Sequence, residues 1–177
     1  MVTDWIKQSA AAMGVVLMIA QGAAAQSSFG STDVTADGAA QGADSFDLTG
    51  LTPEDQTPTG KFTTAAEIGV ILQSTKDSWA AVREYDGQDL VYFSHILAWR
   101  CGLIAAKFSI NDGPLEDLEM PDCHMKFKQP NALIDNEALM TFRRYDLGSV
   151  ESVRVDVLLD NLTTQSVTLQ RGNILIP

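Results

Sequence analysis

The chain is short of the residues that carry most enzymatic chemistry. It holds 2 cysteines and 2 histidines, so a thiolate or imidazole site must draw on Cys101, Cys123, His95 or His124. The patterns G-x-S-x-G, H-E-x-x-H, S-x-x-K and C-x-x-C are all missing. That removes the usual local signatures of acyl transfer, zinc hydrolysis and dithiol exchange. Basic residues are scarce as well: 12 Lys+Arg stand against 23 Asp+Glu, a net charge of −11. No basic run exceeds Arg143-Arg144. Nucleic-acid and anionic-membrane surfaces need clustered cations, so neither is expected as a partner. No apolar run reaches the ~20 residues of a membrane-spanning helix.

What is present begins with an export signal. Met1 to Lys7 is a short polar start, and AAAMGVVLMIA follows as an unbroken apolar stretch over Ala10 to Ala20. Gln21-Gly22 breaks it, and Ala23-Ala24-Ala25 supplies small residues before Gln26. This order of polar, apolar and small residues predicts a secretory signal peptide over 1–25, cleaved after Ala25. No cysteine follows the small residues, so a lipid would lack its acceptor there. The expected location is exported, periplasmic or secreted, with no membrane span after cleavage.

Residues 26–60 read as an acidic flexible linker. Their charges are Asp33, Asp37, Asp44, Asp47, Glu54 and Asp55, with no Lys or Arg. Few large apolar side chains lie among them to offset the entropy of ordering. Residues 61–177 are the expected single globular domain, long enough for one modest core.

That domain opens with a helix. Thr64-Ala65-Ala66-Glu67 fits a capping box, and Ala65, Ile68, Ile71 and Leu72 share a helical face ending near Lys76. Strand signals follow. Trp79 to Tyr85 leads into the turn dipeptide Asp86-Gly87, and LVYFSHILAW over Leu90 to Trp99 is the expected central strand. Ile104 to Ile110 precedes the turn Asn111-Asp112-Gly113-Pro114, and Asp135 to Met140 reads as a short helix. Val153, Val155, Val157 and Leu159 alternate with polar residues, turn at Asp160-Asn161 and return through Val167 and Leu169. The spacing predicts an α+β, β-dominated fold: a small antiparallel β-sandwich or partly open barrel with one N-terminal helix packed on it.

Cys101 and Cys123 are an even pair in an exported domain and predict one disulfide. It would close a loop of about 23 residues, contributing roughly 3 kcal/mol in the chain-entropy description. Cys123-His124-Met125 offers copper-favouring ligand types, but neighbours on an extended strand point apart, so a metal centre is not expected. Glu116, Asp117, Glu119 and Asp122 could ligate Ca²⁺, yet the D-x-D-x-D-G spacing is missing and a solvated loop fits better. Asn161-Leu162-Thr163 matches a glycosylation sequon at a position where a turn already asks for Asn.

Paired carboxylates set by the fold remain a route to glycoside chemistry. Without a motif, a non-catalytic exported module of the cell envelope is the leading expectation, binding a protein or envelope component and needing no cofactor. The alternative is a small ligand- or carbohydrate-active protein with a pocket near Tyr92, His95 and the acidic loop of Glu116, Asp117 and Glu119, with His124 as a further contact.

Overall fold

The computed structural model describes residues 45–177. The expected signal peptide and residues 26–44 of the expected linker lie outside the described residues.

Two four-stranded sheets share one core. The chain runs α1 (Ala65–Ser74), β1 (Ala81–Tyr85), β2 (Gln88–Tyr92), α2 (Ser94–Leu97), β3 (Leu103–Ile110) and β4 (Glu116–Asp117). It continues through β5 (Phe142–Asp146), β6 (Ser152–Leu159), β7 (Thr164–Gln170), α3 (Arg171–Ile174) and β8 (Leu175–Ile176). One sheet has the order β5-β2-β1-β8 and is mixed, because β8 runs parallel to β1. The other, β4-β3-β6-β7, is antiparallel throughout. Val82 and Val91 from the first sheet meet Phe108, Val155 and Val157 from the second in the core, and Ile68 and Leu72 of α1 join them. The α+β, strand-rich architecture with one N-terminal helix therefore holds, as an open two-sheet body rather than a closed barrel.

Local sequence accounts for both hairpins. Asp86 and Gly87 both adopt positive φ, +50° and +73°, which is the twist a two-residue hairpin loop needs. The β6–β7 hairpin forms where the alternation predicts it, with Val153, Val155 and Val157 fully buried. β6 lies between β3 and β7, and seven of its eight residues are buried, so this is the most enclosed strand.

The expected central strand at 90–99 is corrected. Extended pairing stops at Tyr92; Phe93 turns to φ −116°, ψ 21°, and Ser94–Leu97 forms one helical turn. An apolar run of this length satisfies either a buried strand or a buried helical turn, because both bury every side chain. Here Phe93, Ile96 and Leu97 are all fully buried, and Phe93 packs on Phe108 at 4.8 Å.

The start of α1 differs too. Thr64 is the N-cap residue, but its side chain caps nothing. Asp160 does so from the far end of β6: its Oδ1 accepts the Ala65 N–H at 2.8 Å and the Gln56 amide at 2.8 Å. Glu67 reaches back past Thr64 to the N–H groups of Thr63 (2.9 Å) and Gly60 (2.6 Å). Burial alone would raise its pKa, but those bonds and the hydroxyls of Thr59 and Thr64 outweigh it and hold the group at about 2. Gly102 lets α1 approach closely, since a Cβ there would lie 2.9 Å from the Thr64 carbonyl carbon.

Residues 45–60 run against this body. The Glu54 N–H donates to the Asp160 carbonyl at 2.9 Å, and Gln56 bridges Asp160 to the Ala66 N–H. Ser45 bonds the buried Asp156 carboxylate, and the Phe46 ring sits 5.7 Å from the Lys107 ammonium. Hydrogen bonds rather than apolar burial order this stretch, which is why its composition reads as linker. Asp160 thus joins three segments. Replacing it with Ala should cost about 1–2 kcal/mol, read as a lower urea midpoint at unchanged m-value, while Asp160→Asn should retain most of the stability.

Candidate functional site

Of the six residues singled out as contacts, the fold gathers two. Tyr92 ends β2 on the outer face of the mixed sheet, and His95 follows in α2. Both line one open concavity of about 450 Å³ together with Arg83 and Ile176. His95 is held by Thr75, whose hydroxyl lies 2.8 Å from Nε2 and 2.7 Å from the Ile71 carbonyl. The hydroxyl has one proton, which goes to that carbonyl, so the imidazole Nε2 is the donor toward Thr75. Burial lowers the His95 pKa, which keeps the ring neutral at neutral pH.

The acidic residues lie elsewhere. Glu116 and Asp117 form the two-residue edge strand β4 opposite Phe108 and Lys107, and Asp117 pairs with Lys107 at 3.6 Å. Glu119 is exposed in the loop beyond. Among the described residues, neither histidine contacts these carboxylates, and no group of three or more His, Cys, Asp or Glu is placed to hold a metal ion.

His124 belongs to a third place. Its Nε2 lies 2.9 and 3.0 Å from the two oxygens of Glu137, and its ring stacks on Phe127. Glu137 also accepts the Ile134 N–H at 3.0 Å and lies 4.0 Å from Arg100. Burial would raise its pKa, but the bonds from His124 and Ile134, with the Arg100 charge, bring it below the usual range. Arg100 is itself 3% exposed and donates to the carbonyls of Leu97, Pro121, Asp122, Asn131 and Ala132. The Cys101–Cys123 disulfide, with Cα atoms 5.1 Å apart, fastens the same segment. This region is structural: its polar groups are spent on one another.

The outer face of the mixed sheet is different. Register places Ala81, Tyr92 and Phe142 in one cross-strand row, Arg83, Leu90 and Arg144 in the next, and Tyr85, Gln88 and Asp146 in the third. Neighbouring rows are two residues apart along each strand, so all three share one face. Arg83 lies over the Tyr85 ring at 5.5 Å, and Arg144 over Phe142 at 4.8 Å. Tyr92 and Phe142 pack at 5.5 Å. Among the described residues, Arg83 and Arg144 form no ion pair, whereas Arg100, Arg154 and Arg171 each face a carboxylate. A second hollow of about 290 Å³ over the middle row shares Arg83 and Tyr92 with the first. The two hollows adjoin at those shared residues and together make the trough of this face.

Sequence reasoning missed Arg83, Arg144, Tyr85 and Phe142. The only local sign was alternation, Arg83-x-Tyr85 and Phe142-x-Arg144, which gives no indication that β5 pairs with β2. Chemically, the face borders Ser78, Ser94 and His95, but the His95 Nε2 is held by Thr75 rather than by either serine. The face offers two guanidinium groups, flat rings and an apolar floor, which suit recognition of an anionic, partly apolar partner. No family model matches this chain, and neither a curated protein nor a solved structure matches it.

Proposed function

We infer that the chain is an exported, non-catalytic binding module of the cell envelope, and that it holds its partner on the outer face of the mixed sheet. The observation that carries this reading is the pair Arg83 and Arg144, stacked on rings and without carboxylates, in a chain of net charge −11. In so acidic a chain, cations that form no ion pair, with Asp86 and Asp146 at one end of the face only, favour a partner that supplies counter-charge. Arg and Tyr are also the residue types that dominate binding energy at interfaces. The disulfide is consistent with an oxidising compartment. No helix among the described residues is long and apolar enough to cross a membrane.

A free sheet edge is the other surface that could bind. β5 and β7 are both edges; β5 carries Arg143 and Arg144, and charge on an edge discourages strand addition, while β7 carries no charge and stays open to it. The face supports the reading better because, among the described residues, it alone combines unpaired guanidinium groups with rings. A small-ligand or carbohydrate-binding role has one observation in its favour, the hollow shared by Tyr92 and His95. The acidic loop is no part of that hollow, so it would be binding without the carboxylate pair that glycoside cleavage needs.

The test places a photo-cross-linking residue at Tyr85 or Tyr92, and at Val70 on the exposed side of α1 as control, in the full chain expressed in its own host. A discrete adduct at Tyr85 and Tyr92, missing at Val70 and lost with Arg83→Glu/Arg144→Glu, is the expected result. Equal adducts at Val70, or adducts indifferent to the double substitution, would remove the basis of the reading. A protease-resistant adduct would favour a glycan over a protein.

A further inference from the structure

Resting on that reading, we propose that the trough on the mixed sheet takes an extended acidic peptide of polyproline II type, with carboxylates three residues apart. Three observations define the ligand. First, Arg83 and Arg144 flank Leu90 in one cross-strand row, so their Cα atoms stand two strand spacings apart, roughly 9–10 Å. A polyproline II chain rises ~3.1 Å per residue with three residues per turn, so side chains at i and i+3 emerge on one side roughly 9 Å apart. The periods match. A β-strand presents same-face carboxylates at i and i+2, about 6.8 Å apart, which falls short of this spacing.

Second, the trough is open and floored by rings rather than enclosed. Arg83 and Tyr92 line both of its hollows. Open, aromatic-lined grooves suit pre-extended chains, which lose little entropy on binding. Third, the counter-charges on the face are at one end only. Asp86 borders the trough and Asp146 lies in the third row beyond Arg144. An acidic segment therefore lies along the middle row, across β1, β2 and β5, on the side of Tyr92 and Phe142 and away from Asp86 and Asp146. Arg83 leans toward Tyr85 and Arg144 toward Phe142, so each guanidinium swings on its flexible stem to meet a carboxylate in bidentate fashion.

The experiment titrates the full chain with fluorescein-labelled Pro-Pro-Glu-Pro-Pro-Glu-Pro-Pro and follows anisotropy. Comparison peptides carry Gln for both Glu, or move the two Glu to i and i+2. A galacturonate hexamer is titrated alongside. Saturable binding of the first peptide is expected, weaker by about tenfold or more for each comparison peptide and for Arg83→Glu or Arg144→Glu. The doubly charge-swapped chain should instead bind the matching Lys peptide. No binding, indifference to Glu spacing, or binding of the galacturonate hexamer alone would overturn the proposal. Cross-linking at Tyr85 that persists while the peptide fails to bind would overturn this ligand and leave the binding face standing. Unfolding midpoints of the variants guard against a trivial loss of structure.

Discussion

Replacing Arg100 with Met should lower the unfolding free energy by about 3–5 kcal/mol, the range for breaking a buried charged network by removing one partner. A guanidinium has five N–H donors, and here all five are spent: Nε on Pro121, Nη1 on Leu97 and Asn131, Nη2 on Asp122 and Ala132. Four of those carbonyls, of Pro121, Asp122, Asn131 and Ala132, belong to segments outside helix and strand, so no backbone partner waits to replace the lost donor. Met fills the volume of the stem but donates nothing. Arg100→Lys should recover only a minor part, because three donors on a point charge cannot reproduce a planar fork. Urea unfolding gives the size of the loss. Hydrogen exchange gives its place: the Ala132 N–H, bonded to Gln129 in that loop, should lose protection before the amides of β6. If Arg100→Met is within about 1 kcal/mol of the parent chain, the five bonds of Arg100 do not hold this region together.

The second large effect concerns Arg171. It grips Asp89 with two bonds, Nη1 to Oδ2 at 2.7 Å and Nη2 to Oδ1 at 3.0 Å, and also reaches Glu84 at 2.6 Å. Asp89 faces the core and is fully buried; its other partners include the Val150 N–H at 3.1 Å. Arg171→Met strands that carboxylate, again costing about 3–5 kcal/mol at neutral pH. The pH dependence supplies a sharper check. In the parent chain, the Arg171 bonds foremost, against desolvation, hold the Asp89 pKa below its ordinary value. Its contribution is therefore complete above about pH 4 and lost as pH falls through the folded pKa. Without Arg171, only the Val150 and Gly148 N–H groups oppose desolvation, so the folded pKa rises above that of the parent chain. The parent then loses more stability than the variant as pH falls, so the deficit should be largest at pH 7 and shrink toward acid pH. A deficit independent of pH would mean that packing, not charge, is the loss. Adding Asp89→Asn to Arg171→Met should restore part of the stability at pH 7 for the same reason.

Particular residues show why some of this was legible and some was not. Asp86-Gly87 announces its hairpin because only a few residue types tolerate positive φ at both positions. The valines of β6 announce a strand because their period of two is visible over eight residues. The disulfide followed from parity and compartment. LVYFSHILAW misled because a continuous apolar run has no period to read. Thr64 misled because a cap is a hydrogen bond, and Asp160, 95 residues from Ala65 in sequence, supplies it instead. Residues 45–60 looked like linker because their contacts with the body are mainly polar, and composition does not register hydrogen bonds.

By itself, the amino-acid sequence determined the acidic balance and the paired cysteines, which are matters of count, and the two hairpins and the helix, which depend on neighbours within a few residues. Tertiary structure alone decided which cations are spent and which are left. Arg100, Arg154 and Arg171 meet carboxylates; Arg83 and Arg144 meet rings and open solvent. Asp156 answers Arg154 from two residues away on the same strand, but nothing local separates Arg83 and Arg144 from Arg100 and Arg171. Their fates diverge because β5 joins β2 across some fifty residues of intervening chain, and the register of that pairing places two like charges on either side of Leu90 with no carboxylate between them.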